Sequence, residues 1–253
     1  MKPFLKALGY AVLYSVLTIL FQLIATIAVG AANGLRDQDA LQEMANKNML
    51  IVSILAGFLT TVILLLIFRR GGKKLCEELR LGKLASISKI NVLKALGLAF
   101  SVSMFIMLSH YCDLRENVTL VSDSARYFNG IIPGLGFLLL VLAINVVAPV
   151  SEEVALRGIV CTRLAKQFRP WIAIVVSALL FGVMHGPAGG LPLIFTASLM
   201  GVIFGLIFLR YNSLKLSIFA HALANTPDLI FFGHPALSSG MIITLMVICA
   251  IIA

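Results

Sequence analysis

The chain has 253 residues, of which 60% are hydrophobic and only 12% are charged. A soluble domain is usually about 45–50% apolar, so the composition excludes a soluble globular protein and indicates an integral membrane protein. The net charge of +9 would suggest nucleic-acid binding in a soluble protein. Here the basic residues cluster between apolar runs, so we predict membrane lipid and no nucleic acid as a partner.

Eight apolar windows approach or exceed the roughly 17–25 residues that span a bilayer. They fall near residues 4–30, 49–68, 93–111, 133–153, 171–186, 191–209, 216–232 and 237–253. The sequence therefore predicts an all-α polytopic membrane protein with about eight transmembrane helices, in a single integral membrane domain over 1–253. The first window exceeds a signal-peptide core of roughly 7–15 residues, so we expect an uncleaved membrane helix.

The charges of the connections predict an orientation. Residues 69–94 carry eight basic and two acidic side chains, a net +6, which places this connection in the cytoplasm. Alternating from there, 31–48 and 112–132, each with a net −1, lie outside, and 157–170 and 210–215 return inside. Both termini are then predicted to be cytoplasmic.

The fourth window leads into a charged segment that contains Glu152, Glu153 and Arg157. A charge near the centre of a membrane helix costs roughly 2.5–3.5 kcal/mol on insertion scales, so such a cluster is a candidate functional site. Positions four apart share a helix face, so Glu153 is predicted to pair with Arg157, leaving Glu152 to act on a water molecule. The alternative is a helix-end ion pair, with Glu152 reaching the cytoplasmic interface.

Two further apolar segments carry polar side chains, His185 in one and His221 with Asn225 in the other. Hydrolysis would use such a set: a carboxylate and an imidazole can deprotonate water, while a second imidazole and a carboxamide can donate hydrogen bonds to an oxyanion. Alternatively, Glu152, His185 and His221 ligate a divalent metal such as zinc, which lowers the pKa of its bound water.

Three motifs occur in order within 133–232, namely EExxxR, FxxxH and HxxxN/D, as Glu152-Glu153…Arg157, Phe181…His185 and His221…Asn225. The sequence contains no HExxH, GxGD or GxSxG signature of other proteases. The set resembles the CPBP family, the CAAX proteases and bacteriocin-processing enzymes, also called Abi. The resemblance covers the C-terminal half of the chain in sequence.

The resemblance implies an intramembrane endopeptidase that hydrolyses a membrane-associated peptide or protein, in the cell membrane of a bacterium. Glu152 and His185 would activate water, while His221 and Asn225 would form the oxyanion hole. Glu153 and Arg157 would support the site. The family is named as metalloproteases, yet members resembling the prenyl-protein endopeptidase have been described as using glutamate without a directly required metal, so both alternatives stay open.

Two rival functions remain at this point. A transporter would use a proton or ion path along polar residues of the same segments, Glu152, His185, His221 and Asp228. A second rival is a non-catalytic immunity or scaffold member of the same family. No internal repeat stands out, which weighs against transport, and the three motifs are intact, which weighs against a silent scaffold.

The depth of Glu152 is a geometric difficulty. If the fourth helix ended near residue 153, His185 would lie about 20 Å further out, at 1.5 Å per residue from the start of the fifth helix. The two side chains could not then cooperate. We therefore expect the fourth helix to extend past Arg157, with a bend at Pro149.

A GxxxG motif spans Gly201 to Gly205 and would let another helix approach closely. Because such spacing is common by chance, we interpret it as internal packing rather than as a dimer contact.

Overall fold

The computed structural model describes residues 2–32, 34, 38–69, 79–80, 84–109, 119–231 and 239–252. The described elements are helices: α1 (Lys2–Ala32), α2 (Gln38–Arg69), a 3-10 turn (Leu84–Ser86), α3 (Lys89–Ser109), α4 (Thr119–Ile131), α5 (Leu135–Ala165), α6 (170–188), α7 (191–211), α8 (Leu214–Ala224), α9 (Thr226–Phe231) and α10 (Ser239–Ile252). These ranges contain no β-strand. The predicted all-α polytopic fold with about eight membrane helices is confirmed.

Among the described residues, five helical stretches are long and apolar enough to cross a membrane. They lie in α1, α2, α3, α5 and the stretch Pro170–Tyr211, which contains both α6 and α7. The helix α4 lies in a segment that we predicted only as an outer connection. Most of the connecting residues 70–83 and 110–118, on which the predicted orientation depends, lie outside the described residues.

The helices α6 and α7 form a hairpin that reverses direction at Gly189 and Gly190. Gly190 has φ 63°, a conformation that favours glycine. A Cβ atom on Gly201 would lie 2.9 Å from the Cα of Ala178, so only glycine lets the two helices approach this closely. The GxxxG motif therefore packs inside the chain, as predicted.

The helix α5 is longer than its apolar window, because it continues to Ala165. The predicted bounds of the connection 157–170 are therefore wrong, because only residues 166–169 separate α5 from α6. The expected extension past Arg157 is confirmed. Two stretches of α5, Leu142–Val147 and Val154–Cys161, are wound as π-helix, a form that is frequent at functional sites.

The main buried core surrounds the second π-helical stretch of α5, all of whose residues are buried. Side chains of α1, α7 and α8 pack around it, including Ala11, Phe204 and Leu216. By contrast, α1 exposes apolar side chains along one face, as expected of a helix in contact with lipid. Glu153 and Arg157, two of the charged side chains of the candidate site, thus lie within this buried part of α5.

Candidate active site

Glu153 and Arg157 form an ion pair on α5, with 2.9 Å between Glu153 Oε1 and Arg157 Nη1. Both side chains are fully buried, so each charge needs its partner to remain inside the protein. The guanidinium also donates from Nη2 to the Gly201 carbonyl at 2.9 Å and lies 4.7 Å from the centre of the Phe181 ring. The pairing predicted from the four-residue spacing is observed.

His221 comes from α8, which runs antiparallel to α5, and its Nδ1 lies 3.1 Å from Glu153 Oε1. Its ring is stacked on Phe204, with 4.4 Å between the ring centres and 19° between the planes. The contact with the carboxylate therefore restricts rotation of the imidazole within its own plane, and stacking on Phe204 restricts tilting of that plane. With Nδ1 engaged, the remaining nitrogen, Nε2, is the one that points to Glu152.

Glu152 has different surroundings from its neighbour. Its Oε2 lies 3.6 Å from His221 Nε2, and its side chain is 16% exposed. That separation is too long for a hydrogen bond. Among the described residues, Glu152 is therefore an accessible carboxylate beside an imidazole, while Glu153 is enclosed.

His185 lies on α6, with its Nδ1 2.8 Å from the Phe181 carbonyl oxygen. A carbonyl can only accept, so Nδ1 carries the hydrogen, and in the neutral ring Nε2 is the basic nitrogen. The Phe181 ring lies 4.6 Å from the His185 ring and 5.6 Å from the His221 ring. Phe181 thus separates and positions the two imidazoles, which gives the aromatic residue of the second motif a physical role.

The extension of α5 removes the depth difficulty. Glu152 lies 13 residues before Ala165, and His185 lies 14 residues after Trp171. At about 1.5 Å per residue, each is roughly 20 Å from the end of its helix at the 166–169 connection. The two side chains therefore lie at similar depths, although no hydrogen bond joins them in the described part of the chain. The bend expected at Pro149 stays a prediction.

Asn225 donates from its amide to the Ile144 carbonyl, at 2.8 Å. In the first π-helical stretch, the Ala148 N–H bonds to Ala143 O, five residues back. The next donor in that register would be Pro149, which has no N–H, so the Ile144 carbonyl lacks a backbone partner there. The Asn225 side chain satisfies this carbonyl and ties α8 to α5, while its second amide hydrogen bonds to none of the described residues.

Sequence analysis missed two polar residues around the site. Asn145 donates to the Ala222 carbonyl at 2.7 Å, opposite to the bond from Asn225. Ser217, one turn before His221, donates to Glu153 Oε2 at 2.6 Å. Asn145 is a carboxamide in an apolar segment, a pattern that could have identified it, whereas a single serine such as Ser217 gives no comparable signal. The side chain of Asp228, included in the rival ion path, lies outside the described residues.

The metal-binding alternative required Glu152, His185 and His221 to converge. In the part of the chain that is described, no three His, Cys, Asp or Glu side chains form a group that could hold a metal ion. His221 Nδ1 contacts Glu153, which leaves Nε2 as the nitrogen that could bind a metal. The metal-binding alternative therefore stays a prediction, and we derive no catalytic step from a metal.

Comparisons with known proteins place this geometry in context. Residues 134–227 match the family model described as type II CAAX prenyl endopeptidase Rce1-like. A protein of Bacillus subtilis (strain 168) described as "Putative membrane peptidase YdiL" is 31% identical over 88 residues, which is 35% of this chain and 35% of that relative. The match thus spans about a third of the relative's length. No solved structure matches the chain.

Proposed function

We propose that this integral membrane protein is a glutamate-dependent intramembrane endopeptidase. Two matches support its resemblance to the CPBP membrane peptidases: the family model over residues 134–227, and the membrane peptidase relative of Bacillus subtilis. The observation that supports this proposal most strongly is the contrast between the two glutamates. Glu153 is buried and bonded, whereas Glu152 is 16% exposed and 3.6 Å from His221. The expected substrate is a membrane-associated peptide or protein, cleaved within the cell membrane of a bacterium, with both protein termini in the cytoplasm.

In the proposed reaction, Glu152 accepts a proton from a water molecule as the water oxygen attacks the scissile carbonyl carbon. His185, whose available nitrogen is Nε2, orients that water. The attack opens the carbonyl double bond and leaves a tetrahedral oxyanion. Protonated Glu152 then gives its proton to the amide nitrogen as the carbon–nitrogen bond breaks, which regenerates the carboxylate and releases two peptide products.

The oxyanion would accept hydrogen bonds from His221 Nε2 and from the second amide hydrogen of Asn225. Because Nδ1 of His221 faces Glu153 Oε1 at 3.1 Å, donation from Nε2 as well requires the doubly protonated ring. The cluster can accommodate that charge. Before the attack, two carboxylates and one guanidinium leave one negative charge, which an imidazolium neutralises. After Glu152 has accepted the proton, the oxyanion carries the negative charge that Glu152 has lost.

Cleavage in a defined membrane tests the proposal. The full-length protein is reconstituted in lipid vesicles with membrane-associated peptides, and the products are sequenced by mass spectrometry. We expect wild-type protein to cut a peptide bond and Glu152→Gln to leave the peptides intact. If folded wild-type protein cuts none of a broad peptide set, the endopeptidase proposal is replaced by the non-catalytic scaffold.

A further inference from the structure

Ser217 forms a hydrogen bond with Glu153, and this serine takes no direct part in the proposed reaction. It is fully buried on α8, one turn before His221. Its hydroxyl oxygen lies 2.6 Å from Glu153 Oε2 and 3.1 Å from the Phe204 carbonyl. A hydroxyl has a single hydrogen. The shorter contact, to a charged acceptor, is the stronger one, so Ser217 donates to Glu153.

The two oxygens of Glu153 consequently have separate tasks. Oε1 lies 2.9 Å from Arg157 Nη1 and 3.1 Å from His221 Nδ1. Oε2 accepts the hydrogen bond from the Ser217 hydroxyl. Since the carboxylate is fully buried, no water replaces a lost donor, and a carboxylate held at Oε1 alone is able to rotate about its terminal torsion. That rotation would move Oε1 away from His221 Nδ1.

We propose that Ser217 is a positioning residue, which orients His221 through Glu153. This inference rests on the proposed function, because His221 is the residue whose Nε2 faces the reacting atoms. Phe204 completes the arrangement: its ring stacks on His221, and its carbonyl lies beside Ser217. Ser217 thus sets the direction of the imidazole edge, and Phe204 sets the plane of the ring.

Kinetic comparison of matched serine variants tests the positioning role. We expect Ser217→Ala to lower kcat by about tenfold to a hundredfold, the loss typical of a small misplacement of a reacting group, with KM unchanged. Ser217→Thr, which restores the hydroxyl, should recover most of the lost rate. Ser177→Ala is the control, because Ser177 is also fully buried but donates to the carbonyl of Ile174 in its own helix. Equal kcat for the two alanine variants would overturn the inference.

A second background tests whether Ser217 acts through Glu153. In a Glu153→Gln protein, Ser217→Ala should cause no further loss of kcat, because coupled residues are non-additive. A tenfold or larger further loss, in line with the single variant, would show that Ser217 acts independently of Glu153 and would overturn the inference.

A spectroscopic measurement separates this inference from the proposed function. The chain has four histidines, so the ¹⁵N spectrum of histidine-labelled protein in micelles is simple, and His221→Gln identifies the His221 signals. We expect Ser217→Ala to shift the Nδ1 signal of His221 and leave that of His185 in place. Unchanged His221 signals would overturn the positioning role. Absence of cleavage by wild type would overturn the proposed function alone.

Discussion

Two adjacent carboxylates on α5 have opposite surroundings. The Glu153 carboxylate contacts the side chains of Arg157, Ser217 and His221 in a buried cluster. Glu152 has a 16% exposed side chain and faces His221 Nε2 across 3.6 Å. We call the first arrangement the closed face and the second the open face. The comparison teaches that one glutamate holds the site together while its neighbour stays available for proton transfer.

The largest loss of activity is expected from a substitution in the open face alone. Glu152→Gln should lower kcat/KM by about 10²–10⁴-fold, the usual contribution of a general base or acid. Its melting temperature should stay near that of wild type, since Glu152 makes no hydrogen bond within the described residues. Activity is measured on a cleaved peptide and stability by thermal unfolding in detergent. Glu43→Gln is a matched control, because Glu43 pairs with Lys47 on the exposed part of α2.

The next largest effect is a loss of stability, expected from a substitution in the closed face. Arg157→Met retains much of the side-chain volume but leaves the buried Glu153 charge without its cation, which typically costs about 3–5 kcal/mol of stability. Thermal or denaturant unfolding of purified protein measures the loss. Lys47→Met removes the cation of an exposed pair and should leave unfolding unchanged. Equal stability of the two variants would contradict the closed face as a structural cluster.

Two asparagines sharpen the comparison, because they bond α5 to α8 in opposite directions. Asn145→Ala and Asn225→Ala each remove one donor to a backbone carbonyl, so both should lose about 1–3 kcal/mol of stability. Asn225→Ala should in addition lower kcat by about 10²–10³-fold, as expected for loss of an oxyanion donor. Parallel measurements of kcat and unfolding distinguish the two roles. A similar kcat for both variants would make Asn225 purely a helix clamp.

The smallest expected effect concerns metal removal. Because the proposed reaction uses Glu152 without a metal, a chelator should leave the cleavage rate of wild type unchanged. Cleavage is followed before and after dialysis against chelator, and again after zinc is added. A rate that falls with chelation and returns with zinc would establish metal dependence and contradict the glutamate-only reaction.

The fold was largely predictable, because an apolar run long enough to span a bilayer usually forms a membrane helix. The Glu153–Arg157 pair was predictable from helical spacing alone. The apolar window alone underestimated the length of α5, because its charged residues suggested a connection, whereas the depth of His185 predicted the extension past Arg157. In the structure Arg157 is paired internally, and Arg163 packs on the rings of Tyr10 and Phe68, at 4.4 and 4.7 Å.

The contacts that define the site depend on tertiary register and could not be derived from the sequence. Local spacing does not show that His221 turns Nδ1 toward Glu153. Nor does it show that Asn225 satisfies the Ile144 carbonyl, since this depends on the π-helical register before Pro149. Ser217 was missed because a single serine in a membrane helix usually bonds to its own backbone.

The most direct test of the central claim compares peptide termini in cells that express wild type or Glu152→Gln at equal levels. The proposal predicts that particular new termini, arising within or beside membrane segments, appear with wild type and are absent with the variant. Identical termini in the two cultures, with both proteins folded in the membrane, would contradict a role for Glu152 in peptide-bond hydrolysis.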